Sequence, residues 1–254
     1  MNILVVLRIM PDAAGELLLT DDGLGIDREW LDFQLNDFDD HALEDAILLK
    51  EATGARVSAL GIGEGANRIL QMAAARGADE VIAVPVDEDE IISSRDFAAT
   101  VVDVARSRSV DLIICGVQSS EDLFGQLAPY AGAMLDWPHV SGTNRINADG
   151  DKLHVTQERG AGVSVTYEVS LPAVLGVQTA TKAPRYVSGS KLREASKTPI
   201  DRSERRAPNF AASAKLKRLR LPEQSGAAEQ LGDNAESVAD RIVAILETKG
   251  IGRN

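Results

Sequence analysis

The sequence predicts an α/β fold with a doubly wound, mostly parallel sheet and helices on both faces. Two observations predict it. The chain contains short, continuous apolar runs rich in Val, Ile and Leu, which suit strands that are buried on both faces. These runs lie at residues 3–7, 57–61, 81–84 and 112–115. Helical patterns alternate with them through short connections, as in sheets of parallel strands joined by helices. The helical patterns cover residues 40–51, 65–76 and 96–107.

The first of these helices has both a start signal and a stop signal. Asp39 and Asp40 are suited to an N-cap and a first-turn acid. Gly54 follows the last helical residue, where a glycine commonly ends a helix. We therefore expect this helix to begin near Asp40.

After Pro138 the pattern changes from parallel to antiparallel. Residues 152–157 and 163–169 alternate with period two around the turn residues 160–162, which predicts a hairpin. Residues 171–177 form one more apolar run, which predicts another buried strand.

The last third of the chain predicts an arm and a terminal helix. Residues 182–231 show little periodicity and contain Pro184, Pro199, Pro208 and Pro222, which predicts an extended, partly irregular segment. Helical spacing returns over residues 234–249. We therefore expect an α/β domain over residues 1–181, followed by an arm and helix over 182–254 that clamp a partner.

Charge is distributed unevenly along the chain. Residues 182–222 carry 12 of the 27 Lys and Arg but only 3 of the 39 Asp and Glu, a net charge of +9, so the remainder carries −21. A basic segment on an acidic body predicts a tail that lies on an acidic surface, its own or a partner's. Nucleic acid is not the expected partner, because Tyr186 and Phe210 are the only aromatic residues of the segment.

Composition also limits the class of protein. Cys115 is the only cysteine, which excludes an internal disulfide and fits a reducing cytoplasm. No apolar run approaches the roughly 20 residues that cross a bilayer, so we expect a protein that is not embedded in the membrane.

Polar residues follow the fourth apolar run, where an open parallel sheet holds its ligand. The run ends at Gly116, the loop 117–124 follows, and a helix is expected from near Gly125. A nucleotide in such a sheet sits at the carboxyl ends of the strands, facing a helix N-terminus whose N–H groups attract phosphate. Hydroxyls of Ser119 and Ser120 suit phosphate. Carboxylates of Glu121 and Asp122 would repel it unless they bind ribose hydroxyls or cap the helix.

Three further loops are candidates for the same edge. The loop with Arg8, Pro11 and Asp12 leaves the first strand, either as a ligand loop or as an ordinary strand exit. The second is the run Asn36-Asp37-Phe38-Asp39, which either caps a helix or holds an adenine or ribose. In the third loop, Ile62 and Gly63 lie among alternate glycines that allow close approach of a ligand, although the G-x-G-x-x-G fingerprint is absent.

The sequence offers no bond-making centre. His41, His139 and His154 lack metal-binding spacing, and no Ser/His/Asp arrangement stands out. Cys115 lies in a strand that we expect to be buried, where a thiol is inert. The chain is therefore expected to hold a nucleotide and a partner rather than to act as an enzyme.

Taken in order, several segments resemble the β subunit of electron transfer flavoproteins over essentially the whole chain. They are residues 3–7 with Arg8, 35–40, 43–46, 75–79, 116–118, 135–138, 171–174, 184–186 and 245–250. Within that family, residues 35–40, 116–120 and 137–139 resemble the branch that serves methylamine-type dehydrogenases.

The resemblance implies an αβ heterodimer in the bacterial cytoplasm. The α subunit would hold most of one FAD, and the β subunit would carry a structural AMP. Electrons would pass from a donor dehydrogenase to an acceptor such as a membrane quinone oxidoreductase. The residues matching the family's nucleotide contacts are Val5, Asn36, Asp37, Phe38, Asp39, Ile62, Gly63, Gly116, Gln118, Ser119, Ser120, Glu121, Asp122, Gly125, Gln126 and Leu127. Arg8, Pro11 and Asp12 match the loop near the flavin, and Pro184, Arg185 and Tyr186 match the loop that docks onto dehydrogenases.

Two departures from the family pattern bear on these expectations. Leu127 and Ala128 stand where the family usually has the Thr-Gly pair that binds the AMP phosphate. The run from Gln126 to Pro129 is similar to the electron-bifurcating branch, in which a second FAD fills this pocket, but the Asp-Gly-Asp-Thr that precedes it there is absent, so AMP ranks first. Gly189 stands where the family presents a docking leucine, so either Leu192 replaces it or the partner differs.

Two other functions share the expected fold. A stand-alone adenine-nucleotide-binding regulatory module is the alternative, although the arm and terminal helix argue against it. An ATP-using ligase ranks lower, because residues 7–12 contain no glycine-rich phosphate loop.

Overall fold

The computed structural model describes residues 1–12, 17–27, 31–63, 65–86, 92–150, 152–205, 217–221 and 228–251. The strands are β1 (Asn2–Leu7), β2 (Ile9–Pro11), β3 (Phe33–Leu35), β4 (Arg56–Ile62), β5 (Glu80–Val84), β6 (Leu112–Gly116), β7 (His139–Asp149), β8 (Lys152–Gly160), β9 (Val163–Ser170), β10 (Ala173–Val177) and β11 (Asp201–Arg202). The helices are α1 (Asp37–Thr53), α2 (Ala66–Arg76), α3 (Ser94–Ser107), α4 (Leu127–Leu135), α5 (Gly189–Ala195) and α6 (Ala235–Thr248).

A nine-stranded sheet organises the fold, in the order β11-β5-β4-β1-β6-β10-β7-β8-β9. The strands from β11 to β7 pair in parallel, and only β7, β8 and β9 pair antiparallel. The expected doubly wound, mostly parallel sheet is therefore confirmed. Strands β2 and β3 form a separate antiparallel ribbon.

Helices cover both faces because alternate residues of the central strands point to opposite sides. Ile3, Val5 and Leu7 of β1 join one apolar cluster with residues of α1 and α2. Leu4 and Val6 of the same strand join a second cluster with residues of α3 and α4. Both faces of β1 are thus buried, as its continuous apolar run predicted.

The antiparallel part of the sheet differs in extent from the prediction. The expected hairpin of β8 and β9 is confirmed, with a register shift between Glu158 and Gly160 just before the turn at Ala161. The 11-residue strand β7, however, was not predicted. It is largely half-exposed and polar, so it lacks the apolar run that marked the other strands.

The first part of the arm lies against the α/β domain. Residues 189–195 form α5, which lies against α2. Strand β11 joins the sheet beside β5, where Arg108 bonds to both Glu80 and Asp201. The prediction of an extended, irregular arm missed both elements. Pro208, Phe210 and Pro222 lie outside the described residues, and the boundary between 181 and 182 stays a prediction.

The terminal helix α6 is confirmed, but none of its residues is buried. Ile242, Val243 and Leu246 on its surface are exposed. Among the residues that the structure describes, no helix is both long and apolar enough to cross a membrane.

Candidate functional site

Three of the predicted loops meet at one edge of the sheet. Strands β4, β1 and β6 are neighbours and run in parallel, so their carboxyl ends bring Gly63, Arg8 and Gly116 to the same edge. The start of α1 lies against this edge as well. A Cβ atom on Gly116 would lie 2.6 Å from Asp39 Oδ1 and 2.6 Å from Phe38 Cβ.

The side chain of Arg8 holds these loops together. Its Nε donates to Asp39 Oδ2 at 2.8 Å and its Nη2 donates to Asp39 Oδ1 at 2.9 Å. Arg8 is 5% exposed and Asp39 is fully buried. Burial alone would lower the pKa of the Arg8 guanidinium, but the charge of Asp39 and the hydrogen bonds to it outweigh burial and raise that pKa. Arg8 therefore stays charged inside the protein.

The structure also corrects the expected start of α1. The helix begins at Asp37, and its N-cap is Asn36, whose side chain makes no capping hydrogen bond. The interpretation of Asp39 as the N-cap was therefore wrong, whereas Asp40 lies in the first turn, as expected. Asp39 instead accepts the N–H of Arg8 at 2.9 Å and the N–H of Gly116 at 2.6 Å, and Asp40 pairs with Arg76.

The exit of β6 is fastened to Arg8 and Asn36. Arg8 Nη2 donates to the carbonyls of Gly116 at 2.9 Å and Gln118 at 3.0 Å. Asn36 Nδ2 donates to the same Gln118 carbonyl at 2.9 Å. The backbone of residues 116–118 is therefore held from two sides, while the side chain of Gln118 stays exposed.

The start of α4 is capped by Asp122. Its Oδ1 accepts the N–H of Gln126 at 3.0 Å and its Oδ2 accepts the N–H of Leu127 at 3.1 Å. Ser94 Oγ also donates to Oδ1 at 3.0 Å. Capping was one of the roles that the sequence left open for Asp122. The side chain of Leu127 packs into the apolar cluster under α4, so Leu127 presents only its backbone to this edge.

The loop between Ser119 and Gly125 closes on itself. The N–H of Asp122 bonds to the carbonyl and the hydroxyl of Ser119, and Ser120 Oγ donates to Met10 Sδ at 2.8 Å. Gly125 has a φ of +61°, and a Cβ there would lie 2.5 Å from the Val117 carbonyl oxygen, so glycine is required. The loop leaves Phe124 90% exposed and Leu123 largely exposed, a feature that the sequence pattern did not signal.

The remaining predicted contacts lie deeper in the fold or along the ribbon. Val5 is fully buried in the sheet, and Ile62 is nearly so. Pro11 ends the ribbon strand β2 opposite Phe33, and Asp12 continues the ribbon by donating its N–H to the Asp32 carbonyl. Phe38 and Gly63 are half-buried, and Asp37 is exposed.

The segment expected to dock a partner is anchored on α1. Arg185 forms ion pairs with Glu44 at 2.9 Å and Glu51 at 2.6 Å. Hydrogen bonds to Glu51 and Glu44 raise the pKa of Arg185. The hydrogen bond between Arg185 and Glu51 also lowers the pKa of Glu51. With Arg185 held, the adjacent Tyr186 projects into solvent and is 91% exposed.

The chain just before this segment is also bonded to α1. The N–H of Ala180 donates to His41 Nδ1 at 3.2 Å, and the N–H of Thr181 donates to Asp45 Oδ1 at 2.9 Å. Burial raises the pKa of the Asp45 carboxyl to about 6, more than the Thr181 hydrogen bond lowers it. Its second oxygen, Oδ2, is buried without a hydrogen bond. Part of the basic arm thus lies on the chain's own acidic helix.

Two findings bear on chemistry at this edge. Burial raises the pKa of the Cys115 thiol to about 12, so the thiol stays protonated and inert, as the sequence predicted. Within the described residues, no group of His, Cys, Asp and Glu is arranged to hold a metal ion.

Comparison with known proteins gives a consistent result along the chain. The profile of the family described as "Electron transfer flavoprotein domain" matches residues 23–207. The protein named electron transfer flavoprotein subunit beta from Methylophilus methylotrophus is 26% identical over 98% of this chain and 100% of its own length. Its namesake from Bradyrhizobium diazoefficiens is 26% identical over 99% and 100%, and that from Homo sapiens is 28% identical over 79% and 80%.

Proposed function

This chain belongs to the electron transfer flavoprotein family and is a β subunit of such a carrier rather than an enzyme, and on this premise we propose that it pairs with an α subunit and covers the FAD held there. One observation supports the proposal most strongly. The similarity to proteins named as β subunits spans nearly the whole chain, including the arm and α6. A free-standing nucleotide-binding domain would not need those parts.

The proposed flavin-facing part of the chain is the ribbon that follows β1. Pro11 and Asp12 are half-buried at the end of this ribbon and are candidates to approach the flavin from the β side. Arg8, the third residue proposed for this loop, directs its guanidinium inward to Asp39. Its proposed contribution is therefore to hold the loop in position. FAD would supply the redox chemistry, and this chain would shield it from water.

Electrons are proposed to enter from a donor dehydrogenase and to leave to an acceptor such as a membrane quinone oxidoreductase. The proposed docking segment contains Pro184, Arg185, Tyr186 and Leu192. Leu192 is 38% exposed on α5. Gly189 and Leu192 are three residues apart in this helix, so they share a face. This supports Leu192 as the replacement for the leucine absent at Gly189.

The branch that serves methylamine-type dehydrogenases is our proposal for this chain. The segments 35–40, 116–120 and 137–139 support it, and the relative from Methylophilus methylotrophus aligns over its full length. A bacterial cytoplasmic location is proposed with it, because the single Cys115 suits a reducing compartment.

The arm and α6 are proposed to clamp the α subunit, as the second of two units divided near residue 181. The apolar residues of α6 support this role. Val238, Ile242, Ile245 and Leu246 repeat at helical spacing, yet none of them is buried. A helix with an apolar stripe and no cover of its own commonly packs on a partner.

The AMP expected from the family fits this chain only in part. The backbone of residues 116–118 and the start of α1 form an edge of the kind that receives an adenosine. The start of α4, which would receive the phosphate, does not offer the expected groups. Leu127 has no hydroxyl, and its N–H already donates to Asp122. We therefore propose one FAD for the heterodimer, and the start of α4 supports AMP less well than the rest of the edge does.

Co-expression with a matching α subunit tests the proposal. The heterodimer should purify with one FAD, which a dehydrogenase substrate system reduces. The β chain expressed alone should bind little or no flavin. Stoichiometric FAD on the isolated β chain, or failure to form a heterodimer, would contradict the subunit assignment. Either result would favour the alternative, a stand-alone nucleotide-binding module.

A further inference from the structure

The N-terminus of α4 already holds a negative charge. Both oxygens of the Asp122 carboxylate accept helix N–H groups, those of Gln126 at 3.0 Å and Leu127 at 3.1 Å. These are the amides that a phosphate would use at a helix N-terminus. Pro129 has no N–H, and the N–H of Tyr130 donates to the Gln126 carbonyl at 2.9 Å. In the first turn of α4, only the Ala128 N–H is left for a ligand.

The two neighbouring hydroxyls already have partners within the protein. The Ser119 hydroxyl accepts the N–H of Asp122 at 3.1 Å, and the Ser120 hydroxyl donates to Met10. The side chain of Leu127 packs in the apolar core. A phosphate arriving here would have to displace Asp122 before it gained comparable hydrogen bonds.

Asp122 is held firmly in this position. It is 7% exposed, and Ser94 Oγ donates to its Oδ1. Its Oδ2 lies 3.6 Å from Arg8 Nη1, and that nitrogen is buried without a hydrogen bond. A second anion at this place would lie beside the Asp122 carboxylate in a poorly solvated site, where like charges repel more strongly than in water.

We propose that the Asp122 carboxylate takes the place of a nucleotide phosphate at the start of α4, so that this subunit excludes AMP and a second FAD from the pocket. Asp122 is thus a specificity-determining residue, because its carboxylate supplies the negative charge that the phosphate of a bound nucleotide would supply. The inference rests on the proposed function for the identity of the excluded ligands. The arrangement of Asp122 itself is a property of this chain.

The first test measures the nucleotides of the wild-type heterodimer after acid release, by chromatography with mass detection. We expect one FAD per heterodimer and no stoichiometric AMP. Stoichiometric AMP, or two FAD, would overturn the inference while leaving the proposed carrier function intact. A heterodimer that lacks FAD would instead count against the proposed function, so the two failures are distinguishable.

The second test compares variants of the full chain by thermal unfolding with AMP or inorganic phosphate at about 10 mM. Asp122→Ala would free two N–H groups beside Arg8 Nη1, so either ligand should raise its Tm by at least about 2 °C, whereas the wild type should not respond. Asp122→Asn removes the charge but keeps one acceptor oxygen, and it serves if the alanine variant fails to fold. Asp136→Asn, which removes one exposed carboxylate at the opposite end of α4, is the matched control.

The outcomes of the second test are also distinct. A response confined to the Asp122 variants supports the inference. Equal responses in the wild type and the variants would show that Asp122 does not exclude phosphate. No response in any folded variant would show that the pocket rejects phosphate for a reason other than Asp122, and it would overturn the proposed role of this residue.

Discussion

Arg8 and Asp39 are 31 positions apart in the chain, yet two hydrogen bonds of 2.8 and 2.9 Å join their buried side chains. The pair connects the end of β1 to the first turn of α1. Through further bonds of each residue to Gly116, it also connects both elements to β6. The candidate functional site at this edge of the sheet is therefore built around one internal ion pair.

Replacing Asp39 should strongly destabilise the protein. In Asp39→Asn an amide group would oppose the donors of Arg8, and the buried guanidinium would lose its counter-charge. We expect a loss of about 3–5 kcal/mol in the free energy of unfolding, measured by urea denaturation. Asp37→Asn in the same turn changes an exposed carboxylate and should cost less than about 1 kcal/mol. Equal losses of unfolding free energy in the two variants would contradict the stabilising role of the Arg8–Asp39 ion pair.

A side chain at Gly116 should separate α1 from β6. The Cβ of Gly116→Ala would lie 2.6 Å from Asp39 Oδ1 and 2.7 Å from the Phe38 carbonyl carbon. We expect a loss of about 1–3 kcal/mol from overpacking, measured as a shift of the urea midpoint. A Cβ on Gly189 would meet no atom within 4 Å, so Gly189→Ala is the control and should be neutral or stabilising. An unchanged urea midpoint for Gly116→Ala would show that the start of α1 can shift at little cost in free energy.

Asp45 should make stability depend on pH. Its folded pKa of about 6 lies above the ordinary value of 3.8, because burial disfavours the charged form. The folded state therefore binds this proton more tightly, and the resulting stabilisation is present below about pH 4 and is lost as pH rises through about 6. The shift corresponds to an upper limit of about 3 kcal/mol.

Asp45→Asn should remove that dependence. The variant can keep the acceptor for the Thr181 N–H without the buried charge. Relative to the wild type, we expect its unfolding free energy to increase between about pH 4 and pH 7 and then to level off. Urea denaturation of both proteins across this range is the measurement. A constant difference between them at every pH would show that Asp45 does not titrate in this window.

Shortening Leu192 should slow electron transfer without affecting the flavin. Leu192→Ala removes exposed apolar surface from the proposed docking segment. We expect the second-order rate with the donor dehydrogenase to fall on the order of 10-fold, as for a hot-spot residue, while FAD content stays unchanged. Stopped-flow reduction of the heterodimer measures the rate. Lys191→Ala, at the adjacent exposed position, should have a smaller effect, and a normal rate for Leu192→Ala would place docking elsewhere.

Deleting the chain from Asn234 onward should weaken heterodimer assembly. The deletion removes α6, which has no buried residue of its own, so the α/β domain should remain folded. The pair Ile242→Asp and Leu246→Asp tests the same face within the full chain, and Glu236→Gln is a control at an exposed position. We expect affinity for the α subunit to fall more than about 10-fold, measured by sedimentation. Intact assembly after the deletion would refute the clamp.

The central strands were predictable because their signal is local. β1, β4, β5 and β6 are each apolar on both faces, and that property is visible in any window of the sequence. Strand β7 was missed because it is half-exposed and polar. Strand β11 has two residues, and it is held by Arg108 of a distant helix end. No local pattern marks such an element.

The candidate site shows the same limit at the level of single side chains. The loops at Arg8, Asn36 and Gly116 were predicted to share one edge, and they do. The role of Asp39 was misread, because an acid before a helix resembles a cap unless its partner Arg8 is known. For Asp122 the sequence left capping and ligand contact equally open. Only the distances to Gln126 and Leu127 show that the cap is formed.

One helix joins the candidate site at the sheet edge to the proposed docking segment. At one end of α1, Asp39 is bonded to Gly116, and about 18 Å further along the same rigid rod, Glu51 is bonded to Arg185. A displacement of the docking segment would therefore tilt or slide α1 as a lever, and the strand exit at Gly116 would have to follow. By reciprocity, any change at that exit that shifts α1 would alter how readily the segment receives its partner.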